Sequence, residues 1–109
     1  MFEYNGFVSR VVDGDTVICE VDLGFNVITK QRFRLKDVLV PEKRDDDEAW
    51  DEMKQFVEVK FGKQYVEIKS FKLDKYGRYV AILTDRSGRS VNDQITEHLQ
   101  EYLDARANK

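Results

Sequence analysis

Arg32-Phe33-Arg34-Leu35-Lys36-Asp37-Val38-Leu39-Val40-Pro41-Glu42 opens as an alternating strand, stops at the only proline of the chain and ends on a carboxylate. Successive side chains on a strand point to opposite faces, so Phe33 and Leu35 feed a core while Arg34 between them faces the other way. Val40 also suits a core. A cation on a strand and a carboxylate just past its end are candidates for one site. Read backwards, the strand extends over about Val27 to Val38. Val27, Thr29, Gln31, Phe33 and Leu35 share one face, and Lys30, Arg32 and Arg34 form a basic stripe on the other.

Upstream of this strand, residues 2–12 predict a first strand with a bend near Gly6, and Asp13-Gly14 is a hairpin turn signal. A second strand runs from Thr16 to Leu23, with Val17, Cys19, Val21 and Leu23 on one face. Downstream of Pro41 the period changes. Asp45 with Glu48 three residues on reads as a capping box, followed by Ala49, Trp50, Met53, Phe56, Val57 and Phe61 at helical spacing. That predicts an amphipathic helix of about 15 residues, ending at Gly62 and burying Trp50. A fourth strand is expected over 64–72, a turn over Asp74–Gly77 and a fifth strand over Tyr79–Thr84. After a turn at Ser87-Gly88, Ser90 caps a last helix with Asp93 at its third position. Val91, Ile95, Leu99, Tyr102 and Leu103 are its buried stripe, His98 is a structural neighbour of that stripe, and residues 105–109 are expected to fray. The order of three strands, helix, two strands, helix is that of the five-stranded Greek-key OB barrel. The expected fold is mainly β with helices (α+β), as one domain over residues 1–109.

Composition narrows the chemistry. Cys19 is the only cysteine, which excludes an intramolecular disulfide and a Cys-based metal site, and with His98 the only histidine neither a His-based metal site nor a serine–histidine triad is expected. A metal would be held by oxygen, favouring calcium or magnesium. No apolar run approaches the roughly 18 residues of a membrane span, so no membrane partner is expected. With no signal segment in view, a cytoplasmic location is expected. The net charge of −3 speaks against a polyanionic partner, but six acids and no base fall within residues 45–52. Removing those six negative charges leaves +3 for the rest of the chain, enough for a local basic face. The acid run itself reads as a helix cap and a solvated helix face.

Two further stretches complement the strand: Asp13-Gly14-Asp15-Thr16 before it and Asp74-Lys75-Tyr76-Gly77-Arg78 after it. Cleaving a phosphodiester needs a nucleophilic water and charge stabilisation on the phosphoryl oxygens. Arginine offers a bidentate fork to phosphate. Two arginines, two or three acids and no histidine suit that chemistry. Taken singly, each stretch also has a plainer reading: two turns, a surface strand residue, and a solvated glutamate after a proline.

In combination, Val12-Asp13-Gly14-Asp15-Thr16-Val17, Phe33-Arg34-Leu35 with Pro41-Glu42, Asp74-Lys75-Tyr76-Gly77-Arg78 and Val91-Asn92 resemble, in order and spacing, the thermonuclease (staphylococcal-nuclease-like) family. The resemblance spans roughly residues 8–95. It implies the same barrel and calcium-dependent hydrolysis of DNA and RNA, with magnesium as a second cation to test, in a protein expected to be monomeric. By position, Asp15 matches a calcium ligand, and Val40 is placed to offer a backbone carbonyl. Glu42 matches the general base acting on the attacking water, and Arg34 and Arg78 match the phosphate- and transition-state-binding arginines. Lys75 and Tyr76 match residues that contact the nucleotide, and Asp13 a supporting acid.

Three departures accompany the resemblance. Leu39 stands where the family has a second metal-binding aspartate, which leaves the cation site one carboxylate short; Asp37, two residues upstream, is the candidate substitute. The chain has one helix after the barrel and no counterpart of the family's later helix or stacking tyrosines. The acid run lies close in sequence to the phosphate site. Three function classes follow: a metal-dependent nuclease, a nucleic-acid- or nucleotide-binding module on the same barrel that does not cleave, and a protein-interaction domain.

Overall fold

A computed structural model describes residues 2–73 and 78–108. Its elements are β1 (Phe2–Asp13), β2 (Thr16–Asp22), β3 (Ile28–Leu35), α1 (Asp47–Phe61), β4 (Tyr65–Leu73), β5 (Tyr79–Thr84) and α2 (Val91–Ala107). The strands close a barrel in the order β1-β2-β3-β5-β4, with β4 returning to β1. Neighbours are antiparallel except β3 and β5, which run parallel. A parallel pair needs a long crossover, and α1 with β4 provides it. The expected five-stranded OB-like barrel with one helix between β3 and β4 and one at the end is therefore the observed α+β architecture.

Alternation builds the barrel interior: Val17, Cys19 and Val21 of β2, Phe33 and Leu35 of β3, Val66 and Ile68 of β4, and Ala81 and Leu83 of β5 are all buried. Helix α1 adds Ala49, Met53, Val57 and Phe61 at a spacing of four, and α2 adds Val91, Ile95 and Leu99 at the same spacing. Burial pushes the Cys19 thiol up to about 12, so it packs as an apolar group. Buried Asn92 is satisfied on both sides. Its Oδ1 accepts from the Leu83 amide at 3.1 Å, and its Nδ2 donates to the Ala81 carbonyl at 3.0 Å and the Lys36 carbonyl at 3.1 Å. It therefore locks the start of α2 onto β5 and the end of β3.

Several local expectations are corrected. The pairing of β1 with β2 is irregular at two places, between Val8 and Arg10 and between Val11 and Asp13. Strand β3 stops at Leu35 because Asp37 turns the chain with a positive φ of 61°; Val38 is still buried beyond that turn. Leu23 lies past the end of β2 and is exposed. The α1 cap is Asp46, not Asp45. The amides of Asp45 and Asp46 both donate to the Glu42 carbonyl, delaying the helix by one residue, and the Asp46 carboxylate takes the Ala49 amide at 3.1 Å. Trp50 is half-buried at the edge of the core, because its indole N–H serves a surface acid. Helix α2 continues to Ala107 instead of fraying from 105, because Arg106 is forked onto Asp46.

That fork is one rung of three. Asp46, Glu48 and Glu52 of the acid run meet Arg106, Tyr102 and His98, which stand four residues apart on α2. His98 Nε2 is 2.8 Å from Glu52, and its ring stacks on Phe56 at 3.8 Å. Half of the acid run thus joins the two helices.

Candidate functional site

Sheet register brings Asp15 and Arg34 together. Thr16 is the Cα partner of Arg34, and the Leu35 amide donates to the Asp15 carbonyl at 2.8 Å. Because Phe33 and Leu35 point inward, Arg34 stands on the outer face, half-buried. Its Nη1 donates to the Leu35 carbonyl at 2.7 Å, and its Nη2 lies 3.8 Å from Asp15 Oδ2. The parallel register pairs Arg34 with Val80. Arg78 immediately precedes β5, two residues before Val80, and its charge acts on the Asp15 carboxylate.

The loop carrying Asp15 is seated on the core. Its two turn residues are Gly14 and Asp15, with Asp13 paired to Thr16. A Cβ on Gly14 would lie 2.8 Å from Met53 Cβ and 3.2 Å from Val40 Cγ2. Only glycine permits this approach of the loop to α1 and to the segment before Pro41. Trp50 Nε1 donates to Asp13 Oδ1 at 2.9 Å and fixes the other side of the loop. The Thr16 hydroxyl donates to Asp15 Oδ1 at 3.0 Å.

Burial raises the Asp15 carboxyl above its ordinary value. Arg34 and the Thr16 hydroxyl oppose that rise, Asp13 adds to it and Arg78 opposes it. A half-buried acid that resists ionisation beside two guanidinium groups is poised to gain from further positive charge.

The remaining residues singled out above fall as follows. Glu42 is exposed, and its carboxylate pairs with Arg44 Nε at 2.9 Å rather than with the Asp15 group. Val40, two residues upstream, touches the Gly14 position, so the Pro41-Glu42 corner adjoins the loop through the chain. Leu39 is 77% exposed. Asp37 turns outward and pairs with Lys36 Nζ at 3.2 Å, which gives no support to a substitute ligand there. Among the described residues no three of His, Cys, Asp or Glu converge as a metal site. Lys75 and Tyr76 lie outside the described residues. Sequence reasoning missed Trp50, whose apolar helical spacing masks its polar tip, and Asn92, whose side chain acts only once three distant backbone groups meet.

No known protein-family model matches this chain, and no curated protein matches it.

Proposed function

We propose that this protein is a cation-dependent nuclease that hydrolyses the phosphodiester bonds of DNA or RNA, as the resemblance to the thermonuclease family suggests. The observation that carries this reading is that Arg34 and Arg78 both act on the half-buried Asp15 carboxylate, Arg34 at 3.8 Å and Arg78 through its charge. In this reading the two guanidinium groups bind the non-bridging phosphoryl oxygens and hold the charge that builds on them as water attacks phosphorus. Glu42 takes a proton from that water. Its exposed pair with Arg44 is of a kind worth little, so freeing the carboxylate costs little.

The donor set fits a hard cation held sparingly. One half-buried carboxylate, Asp15, and the Val40 carbonyl suit an ion that keeps most of its water and takes further oxygens from a substrate phosphate. Calcium or magnesium bound there would supply positive charge to the phosphate and a more acidic water.

A second reading is favoured by one observation: Leu39 presents an exposed apolar side chain where the resembled family has a carboxylate. On this reading the barrel binds nucleic acid or nucleotide through Arg34 and Arg78 without cleaving it.

One experiment separates the two. Purified protein is incubated with single-stranded and denatured DNA in calcium, in magnesium and in chelator, beside an Arg34→Ala, Arg78→Ala double variant that exposes contaminating nuclease. Cleavage that needs the cation and disappears in the variant supports the nuclease. Retention of DNA at low salt without cleavage in any metal moves the assignment to the binding module. A protein that neither cuts nor retains nucleic acid sinks both.

A further inference from the structure

The outer face of the barrel beside Arg34 carries two further arginines. Residues two apart on a strand share a face. Arg32 therefore follows Arg34 along the outside of β3, with buried Phe33 between them turned inward. Cross-strand register carries the stripe sideways. Arg32 is the Cα partner of Ile18 on β2, and Ile18 is the partner of Arg10 on β1. Arg10 is exposed, while Val8 and Val11 to either side of it are buried, so its side chain also stands on the outside. Arg10, Ile18 and Arg32 thus form one row across three strands, next to the row in which Arg34 faces Thr16.

The two guanidinium groups of this row are not used by the fold. Both residues are exposed. Among the described residues neither side chain has an ion-pair or hydrogen-bond partner. Two strand spacings, about 10 Å, separate them at the backbone. That is about one Debye length at physiological salt, so their mutual effect is a weak repulsion. The residue between them is Ile18, and no acid stands in the row. One row further on, Lys30 is the Cα partner of Glu20, whose charge offsets it. The uncompensated positive face therefore runs from Arg34 to Arg32 and Arg10 and ends there.

We propose that Arg32 and Arg10 hold the phosphates neighbouring the one on Arg34, so that the substrate is a polynucleotide laid across the outer faces of β3, β2 and β1 and not an isolated nucleotide; this rests on the reading above that Arg34 binds a phosphodiester. Each guanidinium offers a fork to phosphate oxygens. The step of about 6.6 Å from Arg34 to Arg32 at the backbone suits one nucleotide of an extended strand. Contacts of this kind fix the path of the strand and carry no base information.

The test is equilibrium binding in chelator, so that nothing is cut. Hexathymidylate, with five phosphodiesters, is compared with dithymidylate, with one, by NMR titration. Five registers in place of one give the longer oligomer a fivefold advantage by statistics alone. The expected advantage is at least thirtyfold. In an Arg10→Ala, Arg32→Ala variant it should fall to near fivefold, and the salt slope for hexathymidylate should drop by about 0.7 for each arginine removed. An Arg86→Ala, Arg89→Ala variant loses the same charge from the loop after β5 and should keep the advantage. All four residues are exposed, and thermal melts confirm folding. A parental advantage of only fivefold, or an equal loss in the Arg86, Arg89 variant, would overturn the proposal. So would tighter binding of hexaglutamate than of hexathymidylate, lost in the Arg10, Arg32 variant, which would assign the face to an acidic protein segment. The Arg34→Ala, Arg78→Ala variant reports separately. If it binds dithymidylate like the parent, the phosphate-site reading fails, whatever Arg10 and Arg32 do.

Discussion

The indole N–H of Trp50 donates to the Asp13 carboxylate at 2.9 Å, joining α1 to the loop that carries Asp15. The ammonium groups of Lys43 and Lys54 stand 5.1 and 5.3 Å over the indole ring. Trp50→Phe keeps an aromatic ring and removes the donor. We expect a loss of about 1 kcal/mol in urea denaturation, the usual net worth of such a bond. Strand cleavage or binding should fall severalfold, because the Asp15 loop loses its lateral tether. Unchanged function at reduced stability would show that the tether serves folding alone.

Gly14→Ala tests the seat of the same loop. The added Cβ meets Met53 Cβ, an atom close to the helix backbone that has little room to move. Overpacking of this kind costs about 1–3 kcal/mol, and displacement of Asp15 should cost function beyond that. A Gly14→Ala protein with parental stability and activity would contradict the close approach.

Asp15→Asn should stabilise the fold. Burial raises this carboxyl's pKa in the folded state, so its contribution to stability is greatest below the unfolded value and is lost as pH rises through the folded value. At pH 7 the parent carries the cost of an ionised, half-buried acid, and the asparagine variant does not. We expect a Tm a few degrees above the parent at pH 7, converging toward pH 3, with loss of any cation effect on the Asn variant. A lower Tm at pH 7 would mean that the Arg34 contact outweighs burial.

Leu39→Asp places a carboxylate on an exposed position where no packing is disturbed. Affinity for a hard cation rises with ligand charge, so calorimetry should detect calcium binding at least tenfold tighter than in the parent. No gain would remove Leu39 from the cation site.

Arg106→Ala should loosen α2 from α1 in a pH-dependent way. The Arg106 fork and the Ala49 amide hold the Asp46 carboxyl below its ordinary value. The stabilisation they provide is therefore present above the unfolded value near 4 and lost as pH falls through the folded one. The Tm gap between parent and variant should be full at pH 7 and narrow below pH 4, with the last turns of α2 exchanging amide protons faster. A pH-independent gap would assign the effect to lost packing on Tyr102.

Much of this was legible in the chain. Alternation at Phe33 and Leu35, the Ser90 cap and the spacing of Met53, Val57 and Phe61 are local signals, and local geometry obeyed them. Cap placement failed by one residue because the Glu42 carbonyl, just past the proline, captured the amides of both Asp45 and Asp46. The acid run looked solvated because its partners, 46 to 60 residues away, cannot be read from spacing. In the candidate site, the residue types and their order were visible, but Trp50 as the anchor of Asp13 was not.

The sequence by itself determined the elements, their order and the inward sense of most core-facing strand residues, such as Val17, Cys19, Phe33 and Leu35, because period two and period 3.6 are properties of the local backbone. Only the tertiary structure decided that the charges of Arg34 and Arg78 both act on Asp15, since β3 and β5 meet in a parallel register between strands joined through a helix and another strand. It also decided that Asp15 is held half-buried beside Arg34 and that Leu39 faces solvent. Burial and charge are sums over neighbours distant in the chain, and they exist only once the barrel has closed.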